Sequence, residues 1–242
     1  MRISLLIIFF SISIIVFPQQ KTDSLKTKLK TTASVSLNSN GIAPIPAFSL
    51  GKPAVIASLS LTKNRFSYDP TLAYGLDFNP WVLDNWLHYL LIRKPLFEFT
   101  AGFDFSSFGS RHILSDGSIW EEQRYFTSSI TGVYKTSQNS TITLAYWNDR
   151  GQDKGTLLGH YFNLVGERTG FNIGKSVLLS TALQIFYIDY TGLNDGLFVS
   201  PKISSSLRNK PFSIFIQAIQ ALKSNISPYP GFRWNIGLGY TL

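Results

Sequence analysis

From residue 232 to residue 242, every even position carries a large apolar side chain and every odd position a small or polar one. The even set is Phe232, Trp234, Ile236, Leu238, Tyr240 and Leu242, and the odd set is Arg233, Asn235, Gly237, Gly239 and Thr241. A period of two belongs to an extended strand, whose successive side chains point to opposite faces. The stretch is therefore expected to be one strand with an apolar face and a small, polar face. Its length suits a tilted crossing of a bilayer's hydrocarbon layer.

The same rule recurs along the chain. Phe97, Phe99, Ala101, Phe103 and Phe105 alternate with Glu98, Thr100, Gly102, Asp104 and Ser106. Leu72, Tyr74, Leu76 and Phe78 alternate with Ala73, Gly75 and Asp77, and similar patterns occupy 55–62, 141–146, 177–187 and 212–218. Weaker alternation runs through 31–38, 86–93, 122–134, 157–166 and 196–205, which brings the expected total to about twelve strands, within a range of about 10 to 14. Helical amphipathic patterns are nearly absent, and Gly, Pro, Asn and Asp recur between the strands as hairpin signals.

The second face decides which β-architecture fits. A soluble sandwich would turn Lys, Glu and Arg to water, and here that face is mostly Ser, Thr, Gly, Ala, Asn and Gln. Charged residues make up only 15% of the chain against an ordinary value of about 25%. The expected fold is all-β, a membrane-spanning antiparallel up-and-down β-barrel: the apolar face meets lipid, the small polar face lines a lumen, and closure leaves no unpaired edge in hydrocarbon. A soluble sandwich or barrel is the competing reading.

The N-terminus fits an exported chain. Arg2 precedes an apolar run over 3–17, followed by Pro18, Gln19, Gln20 and Lys21, the plan of a secretory signal peptide. The run falls short of the roughly 20 residues a helix needs to cross a bilayer. The expected organisation is a signal peptide over 1–19, a polar periplasmic tail over 20–30 and one barrel domain over 31–242. Cysteine is absent, which excludes disulfides, thiol nucleophiles, cysteine-ligated metals and lipid-modified cysteine. The net charge of +8 raises the possibility of a nucleic-acid partner, but an export signal and the lack of a recognised binding module argue against one.

With the signal peptide, the strand from Phe232 to Leu242 resembles the C-terminal insertion signal of bacterial outer-membrane β-barrel proteins. Leu242 stands where that signal most often has Phe, and Tyr240 lies two positions before it. The resemblance covers 232–242. It implies a place in the outer membrane of a Gram-negative cell, contact with outer-membrane lipids, and recognition by the barrel-assembly machinery during biogenesis. Phe232, Trp234, Ile236, Leu238, Tyr240 and Leu242 would carry the signal.

The connections alternate in character. Those near 63–65, 93–95, 135–139, 168–175 and 208–210 are basic and tight, and are expected in the periplasm. The other set is expected to be longer and to hold most of the acid, including Asp84, Asp116, Glu121, Glu122, Asp149, Asp153, Asp189 and Asp195. Aromatic residues flank several strands, among them Phe66, Tyr68, Trp81, Trp86, Tyr89, Trp120, Tyr125, Trp147, Tyr161, Tyr187, Tyr190, Tyr229 and Trp234. Rings with polar tips favour the lipid–water boundary, with core packing as the alternative.

Chemistry is sparse. His88, His112 and His160 share no metal-ligand spacing, so no metal is expected. His112 lies with Ser110 and Asp116 in what is expected to be the longest outer loop, formally a serine–histidine–acid set. Outer-membrane lipases and lipid A deacylases carry such sites at the rim, but their motifs are missing; a lipid-modifying hydrolase is the least favoured reading and no catalytic residue is assigned. No phosphate-binding loop or GxSxG occurs, and no cofactor is implied.

The favoured function is a small channel for passive diffusion of small polar solutes, since twelve strands enclose more space than the eight that side chains just fill. Asp77, Glu98, Asp104, Gln184, Lys202, Gln217 and Arg233 are the candidate lumen residues, and their mixed signs argue against strong selectivity. The alternative is a barrel that does not conduct and serves as an anchor, binding or assembly component of the envelope. Its lumen would be closed by 42–53, where Pro44, Pro46 and Pro53 forbid a central strand and leave an outer loop or an inward plug.

Overall fold

The computed structural model describes residues 28–43, 45–114, 117–226 and 231–242. The expected signal peptide over 1–19 and most of the expected tail lie outside the described residues. The strands are β1 (Lys30–Asn38), β2 (Ala54–Lys63), β3 (Phe66–Gly75), β4 (Pro80–Arg93), β5 (Phe97–Leu114) and β6 (Gly117–Ser137). They continue with β7 (Ser140–Gly151), β8 (Leu158–Ile173), β9 (Val177–Asp189), β10 (Asp195–Leu207), β11 (Phe212–Ser224) and β12 (Phe232–Thr241). Among the described residues the one helical element is a 3-10 turn, Pro46–Phe48.

Each strand pairs antiparallel with its chain neighbour, and β1 closes onto β12 from Ser34↔Thr241 to Asn38↔Gly237, giving a closed twelve-strand barrel. An even count of up-and-down strands returns both chain ends to the same rim. At that rim the turns are 64–65, 94–96, 138–139, 174–176 and 208–211.

Register sorts the faces. Across the β11–β12 pair, Phe212↔Tyr240, Ile214↔Leu238 and Ile216↔Ile236 lie on the outside, and Ser213↔Gly239 and Gln217↔Asn235 on the inside. The outward set is exposed all round the barrel: Val35, Leu72, Leu87, Phe103, Ile130, Leu144, Leu164, Leu183, Ile203 and Trp234. A continuous apolar band of this size does not face water in a monomeric soluble protein. It fits hydrocarbon, where closure of the ladder leaves no free strand edge.

The structure departs from the sequence reading in three places. The strand expected at 72–78 is β3, which starts at Phe66 and ends at Gly75; Leu76, Asp77 and Phe78 form the turn, with Phe78 in the left-handed region at φ 62°. The segment expected to be the longest loop is a hairpin, because β5 and β6 stay paired up to Leu114↔Gly117. Asp116 and the side chains of Arg111 and His112 lie outside the described residues, so the Ser110, His112 and Asp116 set has no described geometry. Finally, Asp84, Glu121, Glu122 and Asp149 belong to strands and not to loops, and Asp189 and Asp195 pair with each other at the ends of β9 and β10.

Candidate lumen constriction and acidic cavity

The β1–β2 connection, residues 39–53, turns into the barrel. Its entry is fixed at the closing seam: Asn235 Nδ2 donates to Asn38 Oδ1 at 2.8 Å, and Asn235 Oδ1 accepts from the Asn40 N–H at 3.1 Å. The segment folds back on itself through Gly41 N–H to the Lys52 carbonyl, and the Ala43 N–H donates to Ser49 Oγ at 3.1 Å. Gly41 has no room for a side chain, since a Cβ there would lie 2.9 Å from the Trp81 ring. At the rim Lys52 is bonded to Asp77.

Inside, Ile45 is buried against Tyr161, Phe186, Ile188, Tyr190, Phe198, Ile219 and Ala221 of β8 to β11. Ala43 packs on the opposite wall against Ala54, Ala73 and Trp81. Trp81 Nε1 donates to the Phe48 carbonyl at 2.8 Å, and the Phe48 ring stacks on Phe108 with centroids 4.3 Å apart. Ile45 and Ala43 thus meet opposite walls of the lumen, and Phe48 meets the wall of β4 and β5.

This placement accounts for six of the thirteen aromatic residues that the sequence set at the lipid boundary. Trp86, Tyr125, Trp147 and Tyr161 have the inward parity of their strands, and Trp81 is buried at the bulge where Ala73 pairs with Val82 and Tyr74 with Pro80; Trp81, Trp86, Tyr125 and Trp147 line the cavity described below, and Tyr161 packs under Ile45. Tyr190, at the end of β9, is buried in the same cluster as Tyr161. Phe66, Tyr68, Tyr89, Tyr187 and Trp234 face outward with the lipid-facing set, and Tyr229 lies outside the described residues. The signal was present in the sequence: Trp86 shares its parity with His88 and opposes Leu83 and Leu87.

Between the inward segment and the wall of β2 to β7 lies a cavity of about 280 Å³. Its polar lining comprises Thr71, Asp84, Asp104, Ser106, Thr127 and Asp149, and its apolar lining includes Phe48, Trp81, Trp86, Phe108, Tyr125 and Trp147. Asp104 and Asp149 are almost fully buried, at 2% and 6% exposure. Asp104 accepts the Asn85 backbone N–H at 2.6 Å, where the β4–β5 ladder leaves 84–86 unpaired.

Toward the rim that carries the chain ends, the inward face becomes small and polar: Ser34, Ser36, Ser58, Thr100, Ser129, Thr131, Thr143 and Ser204. Two of its carboxylates have basic partners. Asp69 accepts from Ser60 and Ser67 and lies 3.0 Å from His88 Nδ1, and Glu98 lies 3.5 Å from Lys135 Nζ. Both serines donate to the carboxylate and neither to His88, so this set is not a nucleophile–base relay.

Of the candidate lumen residues, Glu98, Asp104, Gln184, Lys202, Gln217 and Arg233 occupy inward strand positions. Lys202 lies over the Phe215 ring at 4.5 Å, and Gln184 donates to the Tyr161 hydroxyl at 2.8 Å. Asp77 does not line the strands; it sits in the β3–β4 turn with Lys52. Asp84 and Asp149, which the sequence reading put in loops, join Asp104 at the cavity. The expected insertion-signal residues Phe232, Trp234, Ile236, Leu238 and Tyr240 all lie on the outward face of β12, and Leu242 follows the strand, exposed.

No protein-family model matches the chain, and no curated protein matches its sequence. Among solved structures it is similar to the KdgM porin, free and in complex with disordered oligogalacturonate. Both comparisons give a TM-score of 0.56 at 9% identity, covering 86% of this chain and 98% of the porin. The NanC porin aligns over 88% of this chain and 100% of its own, with a TM-score of 0.48 and 10% identity. The likeness to KdgM is one of fold.

Proposed function

We propose that this chain is an outer-membrane channel for passive diffusion of small polar solutes, with a mouth narrowed by its own 39–53 segment. The observation that carries this reading is the two-faced closed barrel: a band of exposed Leu, Ile and Phe outside and a floor of Ser and Thr inside. The export-like N-terminus and the strand ending at Leu242 support insertion from the periplasm by the assembly machinery, with the short turns inside the cell envelope. The KdgM-like fold supports a porin-type role. Its ligand does not carry over, because an oligogalacturonate would set its own carboxylates against Asp84, Asp104 and Asp149.

A second reading, a closed barrel acting as anchor or assembly component, is favoured by the burial of Ile45 at 6% exposure between the walls. Two measurements separate them. The native protein should co-fractionate with outer membranes and migrate differently on gels before and after boiling; recovery as a soluble periplasmic protein would end both readings. Vesicles carrying the purified barrel should then swell in small sugars or amino acids, whereas a closed barrel leaves them unresponsive.

A further inference from the structure

The cavity under residues 42–48 holds three carboxylates and no lining Lys, Arg or His. Elsewhere several carboxylates have a basic partner: Asp77 has Lys52, Asp153 has Arg124 at 2.6 Å, Asp69 has His88, and Glu98 has Lys135. Within the cavity only hydroxyls and one backbone amide answer them. Asp104 accepts from Asn85 and Ser106, and Asp149 from Thr127. Asp84 lines the cavity with no hydrogen bond from any described residue. Carboxylates inside a membrane-spanning structure are costly and mark sites whose counter-charge is supplied by something that binds or passes.

The walls state what kind of counter-charge fits. Trp86 and Trp147 approach with centroids 5.3 Å apart, and Phe48 lies 5.3 Å from Tyr125. Ring faces are electronegative and attract cations, most strongly when water is excluded. A bare metal ion needs several oxygens converging on one point, and among the described residues no cluster of His, Cys, Asp or Glu does so. Carboxylates spread around an aromatic chamber of about 280 Å³ suit a charge carried on an apolar body.

From the aromatic walls, the uncompensated carboxylates and the cavity's size together, we infer that it takes a small organic cation, an ammonium or guanidinium group on a compact apolar frame. The mixed signs in the lumen do not oppose this, because Glu98 is paired with Lys135 and Asp77 with Lys52, and neither Lys202 nor Arg233 lines the cavity. The inference rests on the channel reading for the cation's route and not for its binding.

The test titrates the detergent-solubilised full barrel with tetramethylammonium chloride and follows intrinsic fluorescence, since Trp81, Trp86 and Trp147 line the cavity. Neopentyl alcohol serves as the neutral isostere, and sodium acetate and sodium chloride as ionic controls. A saturable change is expected with tetramethylammonium alone, with half-saturation raised about tenfold by Asp84→Asn and by Asp149→Asn, the scale of losing one desolvated cation contact. An equal response to neopentyl alcohol, or unchanged binding in both Asn variants with normal heat-modifiable migration, overturns the proposal. In planar bilayers under a potassium chloride gradient, the reversal potential should have the sign of cation preference and move toward zero in the double variant. Saturable binding without any current refutes the channel and leaves the site standing; steady unselective current without binding does the reverse.

Discussion

Trp81 Nε1 donates a hydrogen bond to the Phe48 carbonyl oxygen at 2.8 Å, tying the inward segment to the wall of β4. The indole does three things at once. It satisfies the half-buried Phe48 carbonyl, covers Gly41 so closely that no Cβ fits, and forms one side of the acidic cavity. A segment crossing a lumen must satisfy its backbone within the protein, and this bond is one of its few links to the wall.

Trp81→Phe keeps most of the ring and removes the donor. The Phe48 carbonyl is left unpaired, at a cost of about 1 kcal/mol. The expected outcome is a looser mouth: larger and noisier single-channel current than in the parent protein, with the barrel still folded by gel migration.

Asn235→Ala acts at the opposite anchor. It strips Asn38 Oδ1 of its donor and the Asn40 N–H of its acceptor, at the seam where β1 meets β12. Loss of a buried partner there costs about 1–3 kcal/mol, read as a lower urea midpoint for folding into lipid vesicles. An unchanged midpoint would show that the seam does not depend on this cluster.

The rim anchor responds to acid. The Lys52 ammonium, with help from Asn79, holds the Asp77 carboxyl down at about 2 against an ordinary 3.8. A depressed carboxylate stabilises the folded state above its unfolded value and loses that contribution as pH falls through its folded value. The Lys52–Asp77 tie is thus intact at neutral pH and released between roughly pH 4 and pH 2. Asp153, held low by Arg124, behaves in the same sense at the β7–β8 loop. Channel current followed over this window should show a step that Asp77→Asn removes.

Lipid and lumen faces should differ sharply under the same substitution. Leu144 is 63% exposed on the outward face of β7, and Thr143 lies on the inward face beside it. Leu144→Arg is expected to cost about 2–4 kcal/mol if the residue lies near the bilayer midplane. Thr143→Arg should cost far less and alter conductance, as measured by vesicle-folding equilibria and bilayer recordings.

The alternation at 97–106, 177–187 and 232–242 was legible because one face meets lipid and must be apolar while the other cannot be. Where that constraint lapses, so does the signal. The β5–β6 hairpin continues to Leu114 and Gly117 beyond the apolar band, where no greasy stripe is required, and it reads as a loop. In β3, Asp69 and Pro70 broke the pattern, yet Asp69 faces inward to His88 while Pro70 sits on the outside. Asp84 and Asp149 were hidden for a similar reason: acid was read as loop, although Asp149 shares the parity of Ala145 and Trp147. Closure of the mouth by Ile42 to Phe48 depends on contacts with β8 to β11 far along the chain, which local pattern does not encode.

The most direct measurement is the current through the purified barrel in planar bilayers, recorded for the parent protein and for a variant in which residues 42–48 are replaced by glycine and serine. Small ohmic steps are expected for the parent and steps several-fold larger once the constriction is gone, since twelve strands enclose a lumen wider than side chains alone fill. No steady current from either protein, with both correctly folded in the membrane, would contradict the channel reading.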